Sequence, residues 1–196
     1  MAKKKAKTSS TGASAPKRVY RLLVALAAGP VTEEFQKDNP KVVRVIIIRG
    51  NQSLAKLHDA IFDAMDRVDE HMYEFQVGGR EPLDPRALRY VLPEMRSGPF
   101  SSRDSNLGGG VSRTKIDALD LAVGDAFFYW FDYGDEWWHV IEVKAIYEEG
   151  AQAGNAGTDA DEMKGALKGR HPRVIERIGE SPPQYPDWED EDEEDD

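Results

Sequence analysis

The chain has 196 residues, 40% of them hydrophobic, and a net charge of −10, which favours one domain with tails. It contains no cysteine, which excludes disulfides, thiolate zinc sites and a cysteine nucleophile. No apolar run approaches the ~20 residues of a membrane span, and the basic N-terminus lacks the apolar stretch of a signal peptide; a cytoplasmic location with no membrane partner is expected.

The charge is unevenly placed. Residues 1–18 carry six Lys or Arg and no acid, while residues 187–196 carry nine acids and no base. The first segment reads as a disordered basic arm and the last as a disordered acidic tail. The body between them, residues 19–186, holds 20 basic and 27 acidic residues. Such a surface repels a phosphate backbone unless a basic patch is segregated on one face.

Residues 19–27 (VYRLLVALA) form a compact apolar run, read as a buried strand ending at Gly29-Pro30. Residues 31–41 read as a polar connection. Residues 42–49 (VVRVIIIR) are β-branched almost throughout and give the clearest strand. Ser53 is placed to cap a helix over residues 54–66. Leu54, Leu57, Ile61 and Met65 fall at steps of three and four there, which makes one apolar stripe. Residues 72–77 (MYEFQV) return as a strand.

Residues 80–113 form a long insertion. Two proline turns flank a short helix predicted over residues 86–90, and a polar loop ends in Gly108-Gly109-Gly110. Those glycines lack the spacing of a phosphate loop. Residues 117–121 suggest a short helical turn. Residues 127–133 and 137–147 read as two strands joined by Asp/Gly turn chemistry. Residues 150–169 read as a flexible loop, and residues 172–178 as one more strand. Ser181-Pro182-Pro183 cannot continue a helix or a central strand.

This order predicts an α+β domain: a mixed sheet covered by one main helix. Its start is β-grasp-like, strand-strand-helix-strand, and an aromatic β-hairpin extends or flanks the sheet. Strand alternation puts Trp137, His139 and Ile141 on one face of the hairpin. The aromatics from Phe127 to Trp138 cannot all point into one core, so the second face needs a cover or stays open for binding. Asp132, Gly134 and Asp135 supply the turn, with Gly134 expected at φ > 0.

Two stretches match a known pattern. Within SLAKLHDAIFDAMDRVDEHMYEF, Leu57, His58, Ile61, His71 and Phe75 fit an LH…I…H…F segment. Within FFYWFDYGDEWWHVIEV, Tyr129, Asp132, Tyr133, Gly134, Asp135, Trp137, His139 and Ile141 fit a Y-x-Y-D-F-G-D-x-W-x-H-x-I segment, with Phe131 in place of the usual Tyr. On these residues the chain resembles the plasmid pRiA4b ORF-3-like family across residues 19–186. It departs most near its C-terminal end, where that family often carries cysteines. The resemblance implies fold, membership and an association with mobile elements. It implies no reaction.

Three functions follow from these features. The first is an interaction module for a protein partner of basic character, suited to the acidic body and the aromatic hairpin. The second is a metal-dependent hydrolase, with His58, His71, His139, Asp132 and Asp135 as ligands and general base. No other cofactor is predicted. Against it, the spacing matches no local metal motif, and such histidines are commonly hydrogen-bonded packing residues. The third is a nucleic-acid-binding accessory protein that uses the basic arm. The first reading, a module without an assignable reaction, is favoured.

Overall fold

The two apolar N-terminal runs pair with each other. In the computed structural model, which describes residues 17–96, 106–149 and 160–187, β1 (Arg18–Ala28) and β2 (Val43–Arg49) form an antiparallel ladder from Val19–Arg49 to Ala25–Val43. Between them, the connection over residues 31–41 contains a short helix, α1 (Glu33–Asp38). Thr32 caps it by accepting from the Phe35 amide at 3.2 Å, and Glu33 and Glu34 favour its N-terminal end.

The main helix α2 (Leu54–Ala64) forms as the apolar stripe predicts, with Ser53 capping the Lys56 amide. It buries Leu54, Leu57, Ala60 and Ile61 against Leu22, Ile46 and the aromatic strands. β3 (Tyr73–Val77) follows. The helix expected over residues 86–90 is instead a strand, β4 (Leu88–Val91). Its backbone pairs with β3 from Glu74–Val91 to Val77–Leu88, and that ladder outweighs local helix propensity. The glycine run is also a strand, β5 (Leu107–Gly110), parallel to β4. Glycine is required there because a Cβ on Gly108 would sit 2.7 Å from Tyr90.

The short helical turn expected over residues 117–121 forms as a 3-10 turn, Ile116–Leu119. β6 (Ala126–Phe131) and β7 (Trp137–Glu148) then make the aromatic hairpin. The segment read as a flexible loop over residues 150–169 contains a helix, α3 (Ala160–Leu167), within its described part. β8 (Arg173–Ile178) closes the chain's sheet contribution on an outer edge.

The eight strands lie in one mixed sheet, in the order β5-β4-β3-β6-β7-β1-β2-β8. The hairpin does not extend or flank the sheet but stands at its centre, with β7 on β1 and β6 on β3. Consequently β1 and β3 are separated by two strands, and the β-grasp-like start is not reproduced as adjacent pairing. α2 covers one face. On the other, Ala166 of α3 packs on Val19, Ile47 and Tyr147. Most of the basic arm and acidic tail lies outside the described residues, although Arg18 already belongs to β1. No helix among the described residues is long and apolar enough to cross a membrane.

The hairpin turn differs from expectation in one detail. Gly134 has no positive φ; Asp132 (φ 55°) and Glu136 (φ 54°) take the left-handed positions instead. A left-handed residue with a Cβ is strained relative to glycine. Glu136→Gly should therefore stabilise the protein by about 0.5–1 kcal/mol, measured by urea denaturation. Gly134→Val should be much milder than a left-handed glycine would dictate, since the nearest atom to an added Cβ is Asp132 Oδ1 at 3.4 Å. A severe glycine beside the hairpin is Gly29, where a Cβ would collide with the Trp137 ring. Gly29→Ala should destabilise by roughly 1–3 kcal/mol. Trp137→Ala, which empties a fully buried position, should cost about 3–5 kcal/mol.

Candidate functional site

Three distant stretches meet at the C-terminal end of α2. The helix turns His58 inward, beside Leu57 and Ile61, at 3% exposure. Strand alternation sends Tyr129 and Phe131 of β6, and Trp137, His139 and Ile141 of β7, to that same buried face. Phe75 of β3 packs among them, its ring 4.8 Å from Tyr129. The loop after α2 adds Arg67, 6% exposed, with its guanidinium carbon 3.5 Å from the Trp137 ring centroid. Such stacking is favourable for a cation out of water.

The histidines have three different environments. His58 Nδ1 lies 2.7 Å from the Tyr129 hydroxyl, and its ring stacks on Tyr73 at 3.6 Å between centroids. Its Nε2 faces Glu70 at 4.0 Å. His139 is buried, 5.3 Å from the Tyr129 ring. The Tyr129 and Trp137 backbones lie near its imidazole, but neither nitrogen has hydrogen-bond geometry to any group. His71 stands at the rim, with Nε2 2.9 Å from the Tyr185 hydroxyl and 3.4 Å from Asp132 Oδ2.

Asp132 is mainly a turn residue. Its Oδ1 accepts from the amides of Gly134 at 3.0 Å and Asp135 at 3.4 Å. Tyr133 leaves the cluster: its hydroxyl donates to Glu74 on the opposite face at 2.8 Å. Arg89 also bonds that buried carboxylate, through Nε at 3.0 and 3.2 Å.

Burial governs the charges. It lowers His58 to about 4 and His139 to about 3, with Arg67 adding to the depression of His139. Both imidazoles are neutral at pH 7. Burial lowers Arg67 to about 10, against the pull of Asp132, Asp135 and Asp66, so the guanidinium stays charged. Burial raises the Tyr73 and Tyr129 hydroxyls, which stay protonated. The cluster is thus one cation among neutral polar rings.

The set expected to hold a metal is brought into one region but not to one point. Each of His58, His71 and His139 lies against Tyr129 or Phe131, so ring packing spaces them apart. Among the described residues no group of three or more His, Asp or Glu is arranged to hold a metal ion.

The segment after β8 crosses the cluster as a strap. Arg44 anchors its start, donating to Ser181 Oγ at 2.8 Å and to the carbonyls of Ile178 and Gly179. Gln184 accepts from the amides of Val68 and Asp69 and donates to the Asp69 carbonyl. Arg67 Nη1 donates to the Pro182 carbonyl at 3.3 Å. Arg67, Tyr73 and Gln184 carry no periodic or motif signal. The usable hint for Arg67 is its position inside the first family stretch, between Ile61 and His71.

A family model described as "Plasmid pRiA4b ORF-3-like protein" matches residues 31–180. The chain is 25% identical over 147 residues to an uncharacterized protein, y4hQ, of Sinorhizobium fredii, covering 74% of this chain and 59% of that one. It therefore spans less than two thirds of that relative's length. A solved structure of a protein of unknown function from Methanosarcina mazei, MM3350, shares the fold with a TM-score of 0.54 and 16% identity. That match covers 86% of this chain and 73% of the other.

The two buried neutral histidines make stability depend on pH. Their folded values lie below the ordinary value of 6.5, so the unfolded chain binds more protons in that interval. Stability is complete above pH about 6.5 and is lost as pH falls towards about 4 for His58 and about 3 for His139. His139→Phe removes one of these terms. Its effect on unfolding free energy should be about 2 kcal/mol more favourable at pH 5 than at pH 7, read from denaturation curves at both values. An equal effect at both would mean that His139 is not buried neutral.

Proposed function

Starting from a chain that belongs to the Plasmid pRiA4b ORF-3-like protein family, we propose that it is a binding module whose ligand docks in the cluster beneath the strap. One observation carries this reading. Arg67 Nε and Nη2, Trp137 Nε1 and both nitrogens of His139 are buried without a hydrogen-bond partner. Folded proteins satisfy nearly all buried polar groups, and an exception calls for a cause. Among the described residues, five of the eight such atoms fall here, on two residues of the family pattern, Trp137 and His139, and on the arginine stacked on one of them.

Binding suits the chemistry better than catalysis. Burial holds Tyr129 in its protonated form, the opposite of an activated nucleophile. His139 is too strongly depressed to serve as a general base near neutral pH. A cytoplasmic setting suits a chain without cysteine.

A thermal-shift screen of small metabolites tests the reading, run on the wild type and on His139→Phe, which keeps the ring volume. Compounds that raise the wild-type Tm should fail to raise that of the variant. Compounds acting equally on both proteins, or a panel with no stabilising compound, would count against a ligand site here.

A further inference from the structure

Three buried charges show what this fold does with ions. Arg44 is 1% exposed and meets oxygen acceptors through all three nitrogens: the Ala64 carbonyl from Nε, the carbonyls of Val43, Ile178 and Gly179 from Nη1, and Ser181 Oγ from Nη2. Glu74 is fully buried and takes Arg89, Gln76 and Tyr133 as donors. Arg67 alone of these three is left incomplete. Its Nη1 reaches one neutral acceptor, the Pro182 carbonyl, while Nε and Nη2 have none. No carboxylate forms an ion pair with it among the described residues.

Taking the binding-module reading as its basis, we propose that Arg67 is the receptor for a ligand carboxylate. The two free nitrogens are the ones that matter. Nε–H and Nη2–H point from the same edge of the guanidinium plane, and that edge matches the two oxygens of a carboxylate in parallel hydrogen bonds. Nη1 stays committed to the strap. The Trp137 ring fixes the plane from one face, which preorganises the fork. Trp137 Nε1–H is a further buried donor without a partner, and the neutral His139 ring supplies one N–H and one acceptor nitrogen.

A single cation favours a singly charged ligand. Both neighbouring histidines are neutral, and the other charged groups acting on Arg67 are the carboxylates Asp66, Asp132 and Asp135. A phosphate dianion would face those acids with one guanidinium to offset it. A monocarboxylate needs no more.

Acetate is the probe, titrated into the full chain at constant ionic strength, with chloride and inorganic phosphate as controls. The readout is the Arg67 side-chain Nε–H and Trp137 indole N–H resonances, together with Tm. Acetate should shift both resonances saturably and raise Tm, and chloride should do neither. Arg67→Met should weaken acetate at least about tenfold, the weight of one charge-assisted hydrogen bond. No saturable shift in the wild type overturns the proposal, and so does an equal acetate response in Arg67→Met. Phosphate binding more tightly than acetate overturns the carboxylate assignment. If Arg67→Met does not fold, the wild-type Arg67 resonance decides alone. A neutral compound that requires His139 but not Arg67 would remove this proposal and leave the binding-module reading standing.

Discussion

The ladder between β1 and β7 holds the molecule together. To one side of it lie β1, β2 and β8, and to the other β7, β6, β3, β4 and β5. β7 pairs with β1 from Trp138–Ala28 to Glu148–Arg18, so one long seam joins two half-sheets of distant sequence origin. A register shift between Arg21 and Leu22, opposite the step from Val143 to Ala145, lets β7 change which residues face which layer. Before it, Trp137, Ile141 and Val143 face α2; after it, Tyr147 faces α3. The seam also sets the site. Gly29, just beyond β1, must lack a side chain because Trp137 lies against its backbone, and Trp137 in turn carries Arg67.

The two faces of the central hairpin treat polar residues differently. On one, Glu74 binds Arg89 and Tyr133 in a closed network, with Tyr133 also in contact with Met95. A buried ion pair with its remaining valences filled is a specific structural element, whatever its net contribution to stability. On the other face, Arg67 and His139 lie in an equally dry environment with valences open. The same fold thus completes one buried charge, Glu74 on β3, and leaves another incomplete in the loop just before that strand, Arg67. Tyr133 and Asp132, adjacent in sequence, divide between these two faces: Tyr133 goes to Glu74, and Asp132 to the turn amides and His71.

Much of this was legible before any coordinates. The strand around Val24 declares itself by its compact apolar run, the strand around Ile46 by β-branching, and α2 by its stripe and Ser53 cap, because burial dictates those patterns directly. The alternation of Trp137, His139 and Ile141 follows from strand geometry alone. What failed was non-local. Leu88–Val91 is a strand because β3 offers it a ladder, and no window over those residues contains β3. Gly108 is in a strand because β4 pairs with that run, and Tyr90 leaves no room for a side chain there. The hairpin's central place depends on β1 choosing β7 as its second neighbour, which local pattern does not encode. In the site, the family residues located the cluster, but its charge comes from Arg67, whose burial is produced by the strap and by Trp137 together.

The strap gives the cluster its present dryness. Pro182 and Gln184 are buried, and Gln184 ties the segment to the loop that carries Arg67 through the amides of Val68 and Asp69. Excluding water strengthens every electrostatic interaction beneath it. It also raises the penalty on a guanidinium whose one partner is a neutral carbonyl. Proline supplies no side-chain acceptor, so this segment shields the cation without neutralising it. That combination keeps the strength of the buried charge available to an anion from outside the chain.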